Sequence, residues 1–324
     1  MRFEATDGVT LSGLLYEPRR ASTRVAIFLH GTGGSSVFTS RRTNLLAEVF
    51  VDAGIAFFPF DNRGAQVVRR LGDRFGGSAH ELIRDCVFDI DGALRELRAR
   101  GYRDVTLIGH STGANKVAVY DSVKPRNRVQ RYVLLAGGDD TGLLYDQLGP
   151  RRFAAALLRA REMIRARRGD ELVPRALSSL PMSWRAFYDM ANPNGDYNVF
   201  PFLEAMRDVR LSRRPRFRHL RTLRKPTLML YGEHDEYCHG DVPHCVSILA
   251  DVVGPKVELA IMGDADHGFS GHEEELGRVV LGWMERWKQP RRTAAVPAAA
   301  VAASRRHRAG ETPARQPART PAVH

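Results

Sequence analysis

Val105-Thr106-Leu107-Ile108-Gly109-His110-Ser111-Thr112-Gly113 is the stretch on which the reading of this chain turns. A short apolar run leads into a Gly-x-Ser-x-Gly pattern, and residues 112–122 after it have the composition of a helix. A serine at a tight strand-to-helix turn takes strained backbone angles, and such a turn closes only if the residues two positions away are very small. Gly109 and Gly113 meet that demand. The Ser111 hydroxyl would then stand at the C-terminal edge of a sheet, over the first turn of a helix whose dipole favours developing negative charge. Ser111 is therefore the candidate nucleophile.

Working outward, residues 25–29, 55–60 and 132–136 are apolar runs of the same kind as 105–108. Continuous runs suit strands buried on both faces, as in a parallel sheet. Between them lie helix-like stretches at 44–53 and 81–98, and in the second Leu82, Val87, Ile90, Leu94 and Leu97 share one helical face. This alternation predicts an α/β fold with a doubly wound, mostly parallel sheet and right-handed crossovers. The same rhythm resumes at 227–231, near 243–252, at 257–262 and at 273–288. Near the start, Val9 and Leu11 alternate after Asp7-Gly8, which suggests an N-terminal antiparallel pair.

Residues 138–225 interrupt the rhythm. Phe153, Ala154, Leu157, Leu158 and Ile164 have helical spacing there, and five prolines punctuate the stretch from Pro174 to Pro215. An insertion between two parallel strands sits at the sheet edge where open α/β sheets bind ligands, so it is expected to act as a helical cap. The expected organisation is a core of 1–137 with 226–288, a cap of 138–225, and a tail of 289–324.

The chain has 324 residues, 43% of them hydrophobic, enough for one large core. No apolar run approaches the roughly 18 residues of a membrane-spanning helix. The N-terminus lacks the apolar stretch of a secretory signal. Cys86, Cys238 and Cys245 are too few for a disulfide framework, so a cytoplasmic protein is expected. Lys and Arg number 49 against 37 Asp and Glu, a net charge of +12. The excess is concentrated in 138–225, with 18 basic residues against 10 acidic, and in 289–324, with seven Arg against one Glu. The tail is built of Ala, Pro, Arg and Thr, and is expected to be disordered. It has no aromatic residues on which bases could stack, so nucleic acid is not an expected partner.

A serine hydroxyl needs a base, oriented by a third group. After 227–231 comes Gly232-Glu233-His234-Asp235, and after 257–262 comes Gly263-Asp264-Ala265-Asp266-His267-Gly268-Phe269. Nucleophile, acid and base in that order, each just past a strand, assign Asp235 as the acid, ahead of Glu236 and Asp241, and His267 as the base. A tetrahedral oxyanion needs backbone N–H donors. Thr112, directly after the nucleophile, supplies one, and Thr32 in His30-Gly31-Thr32-Gly33-Gly34 supplies the second. That loop lacks the further glycine of a dinucleotide fingerprint and the Lys-Ser/Thr of a phosphate loop. His234, Cys238, His239, His244 and Cys245 crowd together, but their spacing matches no zinc signature, and neither metal nor cofactor is expected.

Together these residues resemble the α/β-hydrolase-fold serine hydrolases over about residues 1–288. The resemblance rests on His30-Gly31, Asp61-Asn62-Arg63-Gly64, Gly109-His110-Ser111-Thr112-Gly113, Gly232-Glu233-His234-Asp235 and Asp266-His267-Gly268-Phe269. The Gly-His-Ser-Thr-Gly and Asp-Asn-Arg-Gly forms are similar to a branch that includes siderophore-ester hydrolases. The resemblance implies hydrolysis of a small-molecule carboxylic ester through an acyl-enzyme. Two other expectations remain open. One is a thioesterase or acyltransferase whose basic insertion attracts an anionic, CoA- or carrier-linked substrate; the other is a non-catalytic ligand-binding protein on the same fold.

Overall fold

The computed structural model describes residues 1–32 and 36–287. Along the chain, β1 (Arg2–Glu4), β2 (Thr10–Gly13) and β3 (Arg24–Leu29) lead to α1 (Arg41–Asp52) and β4 (Ala56–Asp61). A hairpin of β5 (Arg69–Leu71) and β6 (Arg74–Gly76) precedes α2 (Cys86–Ala99), β7 (Asp104–His110), α3 (Thr112–Val123) and β8 (Arg131–Leu135). Then come α4 (Asp140–Arg165), α5 (Trp184–Ala191) and α6 (Phe202–Met206), followed by β9 (Thr227–His234), α7 (Val242–Ala250), β10 (Val257–Asp266) and α8 (Glu273–Arg286).

Eight strands form one sheet in the order β1-β2-β4-β3-β7-β8-β9-β10. The first two pairings, β1 with β2 and β2 with β4, are antiparallel, and the rest are parallel. This is the doubly wound, mostly parallel α/β sheet that the apolar runs predict, antiparallel N-terminal pair included.

The runs are continuous because both faces of the sheet are covered. Side chains alternate along a strand, so Val25, Ile27 and Leu29 pack on one face with Ile90 and Leu97 of α2 and with Val117 and Tyr120 of α3. Ala26 and Phe28 pack on the other, with Leu46 and Phe50 of α1 and with Leu276 and Trp283 of α8. Each large side chain so buried contributes about 1.5–3 kcal/mol. Between β8 and β9, Leu144, Leu148 and Phe153 of α4 pack with Trp184 and Phe187 of α5 in a third cluster. Asp139 caps α4 by accepting from the Gly142 N–H at 2.8 Å, and Gly149 (φ 73°) with Pro150 kinks the helix.

Two differences from the sequence reading bear on the site. First, β9 continues to His234 and β10 to Asp266, where Asp266 pairs with His234 across a bulge, so residues 235 and 267 leave adjacent strand ends together. The polar residues at both ends hide this extension from an apolar count. Second, the arginine-rich β5–β6 hairpin has no apolar alternation and is invisible to it. Among the described residues no helix is long and apolar enough to cross a membrane. The tail expected at 289–324 lies outside the described residues.

Candidate active site

β7 ends at His110, α3 begins at Thr112, and the whole turn between them is one residue, Ser111, at φ 58° and ψ −128°. A side-chain-bearing residue there is strained, and the surroundings hold it in place. The Ser111 N–H donates to the Leu135 carbonyl at 2.9 Å, and the Ser111 carbonyl accepts from Ala114 at 2.8 Å. A Cβ on Gly109 would lie 2.1 Å from the Gly113 carbonyl oxygen, and one on Gly113 would lie 2.3 Å from the Leu29 oxygen. Gly113→Ala should therefore force β3 and β7 apart from α3 and cost about 2 kcal/mol or more. A urea midpoint unchanged from wild type would contradict this packing.

His267 joins the serine turn through its main chain and the acid through its side chain. Its carbonyl accepts from His110 Nε2 at 2.8 Å, on the residue before Ser111. Its Nδ1 donates to Asp235 Oδ1 at 2.9 Å. The same Oδ1 accepts from the Tyr237 N–H at 3.0 Å, while Asp235 Oδ2 is buried without a hydrogen-bond partner among the described residues. The Tyr237 ring packs against the imidazole at a tilt of 41°, with ring centroids 4.3 Å apart. The structure thus brings residues 267 and 235 into direct contact and sets residue 267 beside the Ser111 turn. Ser111 Oγ is not hydrogen-bonded to the imidazole among the described residues, and such bonds commonly tighten only when substrate is bound.

Of the expected oxyanion donors, Thr112 occupies the first turn of α3, where helical N–H groups have no carbonyl of their own helix to meet. Thr32 follows Gly31, whose Cβ position would lie 2.9 Å from Ser111 Cβ, so this loop lies against the serine. Gly33 and Gly34 are outside the described residues. Behind the loop, His30 Nδ1 donates to the Gly31 carbonyl at 2.6 Å. Burial, reinforced by Lys116, pulls His30 down to about 3, so the ring is neutral.

Several residues of this neighbourhood have supporting roles that the sequence reading does not assign. His110 is buried, and desolvation, then Arg42, holds it well below the usual imidazole range. It is neutral, and its Nε2–H is committed to the His267 carbonyl, which makes it a positioning residue. Arg42 Nη1 secures the next carbonyl, Gly268, at 2.7 Å. Lys116, fully buried in α3, pairs with Glu81 at 2.6 Å and donates to Asn62 Oδ1 at 3.2 Å. Arg63 binds Asp89 at 2.7 Å and Asp7 at 3.0 Å. Asp61 accepts from Val37 N–H at 2.8 Å and from the Ser36 hydroxyl at 2.9 Å. The Asp61-Asn62-Arg63-Gly64 motif is thus a hub tying α2, α3 and the segment after Thr32 together. The Asp61-Asn62-Arg63-Gly64 motif and a lysine amid the apolar residues of α3 are the signals in the sequence for this network. Nothing marked Tyr197, whose hydroxyl lies 3.3 Å from Thr112 Oγ1.

Asp140 adds a second acid. Burial, then Asp139, pushes its carboxyl up to about 6, with His267 and the Tyr197 phenol pulling the other way. Its folded value lies above the ordinary 3.8, so the folded chain holds this proton longer, and stability falls as pH rises from about 4 through 6. Asp140→Asn should be more stable than wild type by about 1 kcal/mol at pH 8, with the gap closing below about pH 4. Urea titrations at the two pH values check this, and equal stability at pH 8 would contradict it.

Of the cysteine–histidine crowd only the two cysteines meet, Cys245 Sγ donating to the Cys238 carbonyl at 3.4 Å, while His234 and His244 stay exposed. Cys238 and Cys245 are buried in the core, and His239 Nε2 meets Asp139 at 3.2 Å. Among the described residues, the metal-ligating types whose donor atoms come within 4.8 Å of one another are Glu233, His234 and Asp264, all exposed.

The profile of a family described as "Alpha/beta hydrolase family" matches residues 26–281. A comparison with curated proteins finds no match. Among solved structures, the chain is similar to Est1E from Butyrivibrio proteoclasticus, solved with ferulic acid bound: TM-score 0.59, 15% identity, covering 88% of this chain and 98% of that one. It is also similar to the esterase PF2001 from Pyrococcus furiosus, with TM-score 0.56, 17% identity, and coverage of 89% and 91%. A third is the meta-cleavage product hydrolase CumD from Pseudomonas fluorescens, with TM-score 0.54, 16% identity, and coverage of 89% and 98%.

Proposed function

The chain belongs to the alpha/beta hydrolase family, and from that premise we propose that it hydrolyses a carboxylic ester of a small molecule through an acyl-enzyme on Ser111. The observation that carries this reading is the double attachment of His267, by side chain to Asp235 and by main chain to the residue before Ser111. The imidazole takes the Ser111 proton as Oγ attacks the ester carbonyl. Asp235 holds Nδ1–H and stabilises the imidazolium. The Thr32 and Thr112 amides bind the oxyanion, and the imidazolium then protonates the departing alkoxide. Water, deprotonated by the same ring, releases the acid and restores Ser111. Residues 1–137 and 226–288 serve as the core and 138–225 as the cap over the site. The likeness to the Pyrococcus furiosus esterase agrees with the ester, and no step requires a metal or cofactor.

A thioester or carrier-linked anion is the less favoured substrate. Cations of the insertion are taken up on its exterior: Arg168 by Glu171 at 2.7 Å, Arg207 by Asp146 at 2.6 Å and Arg216 by Asp208 at 3.0 Å. The charged group close to His267 from this insertion is an acid, Asp140. Stopped-flow hydrolysis of nitrophenyl esters of increasing chain length tests the reading. A burst of nitrophenol close to one equivalent per enzyme is expected for the best chain length. Turnover of acyl-CoA with none of any ester would overturn the ester assignment.

A further inference from the structure

α3 runs away from Ser111 for twelve residues, roughly 18 Å, and at its far end a cavity of about 660 Å³ opens between α2 and α3. A volume of that size accommodates a small organic ligand. Its wall carries five cations: Arg95 and Arg98 of α2, Lys124 at the end of α3, and Arg126 and Arg128 of the loop to β8. The one acid in the lining, Asp91, is already engaged by Lys124 and by the Tyr120 hydroxyl at 2.8 Å. Arg95 is spent on the Glu4 carbonyl at 2.9 Å.

The guanidinium groups of Arg98, Arg126 and Arg128 meet no acid and make no hydrogen bond among the described residues. Arg98 also lies within the field of Arg128 and Arg103, which, after desolvation, lower its pKa. Like charges gathered without a counter-charge repel one another, and the fold gains nothing from that. Both helices end here, and their dipoles supply about half a negative charge each, which offsets about one of the cations. The surplus calls for an anion. Beside the cations, Leu94, Val123 and Pro125 give the cavity an apolar side. Val123 is 38% exposed, so that side is open to solvent.

We propose that the cavity between α2 and α3 binds a small organic phosphate, its dianionic head held between Arg98 and Arg128 and its apolar body against Leu94, Val123 and Pro125. Two guanidinium forks suit a dianion, each able to give parallel N–H donors to phosphate oxygens. The site is separate from Ser111 and does not depend on the ester reading.

Calorimetric titration of the full chain with phenyl phosphate tests this. Saturable binding with a Kd on the order of 0.1 mM is expected, weakening as NaCl rises. Arg98→Gln and Arg128→Gln should each raise Kd about tenfold. Arg159→Gln, which removes an exterior arginine of α4 paired with Glu162 at 3.1 Å, should leave it unchanged. Phenol should not bind, and inorganic phosphate should bind about tenfold more weakly than phenyl phosphate. Thermal melts and the ester hydrolysis rate show that each variant is folded. No saturable binding by wild type, or an equal Kd in Arg128→Gln, would overturn the proposal. So would inorganic phosphate binding as tightly as phenyl phosphate, or retention on phosphatidic-acid vesicles without binding of phenyl phosphate. A lowered melting temperature in Arg98→Gln with no wild-type binding would assign the arginines to the helix ends instead.

Discussion

Ser111→Ala should lower kcat for nitrophenyl ester hydrolysis by about 10⁴-fold or more and leave KM within a few-fold of wild type. Removing the hydroxyl deletes the only nucleophile of the proposed route. The amides of Thr32 and Thr112 remain to polarise the carbonyl, so a residue of rate over water survives. The backbone of residue 111 makes the experiment more informative than a loss of rate alone. At φ 58° and ψ −128° the residue sits where a Cβ is strained, so Ser111→Gly should be more stable than Ser111→Ala by about 1 kcal/mol and equally inactive. Stability would then differ between two variants of equal activity, which ties the strain to the Cβ and the rate to the hydroxyl. A Ser111→Ala protein that keeps more than about a tenth of wild-type kcat would remove the serine from the mechanism.

Asp235→Asn should cost about 10³–10⁴-fold in kcat with a far smaller effect on folding. Asp235 Oδ1 accepts from both His267 Nδ1 and the Tyr237 N–H. An asparagine can keep its oxygen there, but the charge that stabilises the imidazolium is gone. If its amide nitrogen turns toward the ring instead, it favours the tautomer that presents Nε2–H to Ser111, and the base is blocked. Because Oδ2 is buried without a hydrogen-bond partner among the described residues, the incoming amide finds no acceptor ready for it. Kinetics of Asp235→Asn beside Asp241→Asn separate this acid from its neighbour: Asp241 caps α7 by accepting from the His244 N–H at 3.0 Å, a role an asparagine oxygen fills about as well, so Asp241→Asn should leave rate and stability close to wild type. Equal loss of kcat in the two variants would contradict the assignment.

The fold was legible because its cause is crude and repetitive. Strands buried on both faces must be apolar throughout, and β3, β4, β7 and β8 read as such. Gly109 and Gly113 were legible for a similar reason, since a turn of one residue leaves no room at either position. The ends of β9 and β10 were not: their last residues, among them Glu233, His234, Asp264 and Asp266, are polar, exposed at the sheet edge, and paired through backbone that has no side-chain signature. The same blindness hid the bulge that sets Asp235 beside His267.

The support of the site was the least legible part. His110 and Arg42 act through two carbonyls, those of residues 267 and 268, and a carbonyl acceptor leaves no trace in sequence. Tyr197 reaches Thr112 across 85 residues of chain, a contact that depends on how α4, α5 and α6 fold back. The cysteine–histidine crowd shows the converse error. Residues near in sequence after β9 part company because the turn before α7 buries Cys238 and the first turns of α7 bury Cys245 against it, while His234 and His244 are left outside.

The central claim is that one hydroxyl, at residue 111, forms the covalent intermediate. Treatment of the full chain with a fluorophosphonate, followed by proteolysis and mass spectrometry of the adduct, measures it directly. One adduct per chain is expected, on the peptide carrying Ser111, and it should be absent in Ser111→Ala and strongly slowed in His267→Ala. An adduct on any other residue, or labelling that persists in Ser111→Ala, would contradict the account.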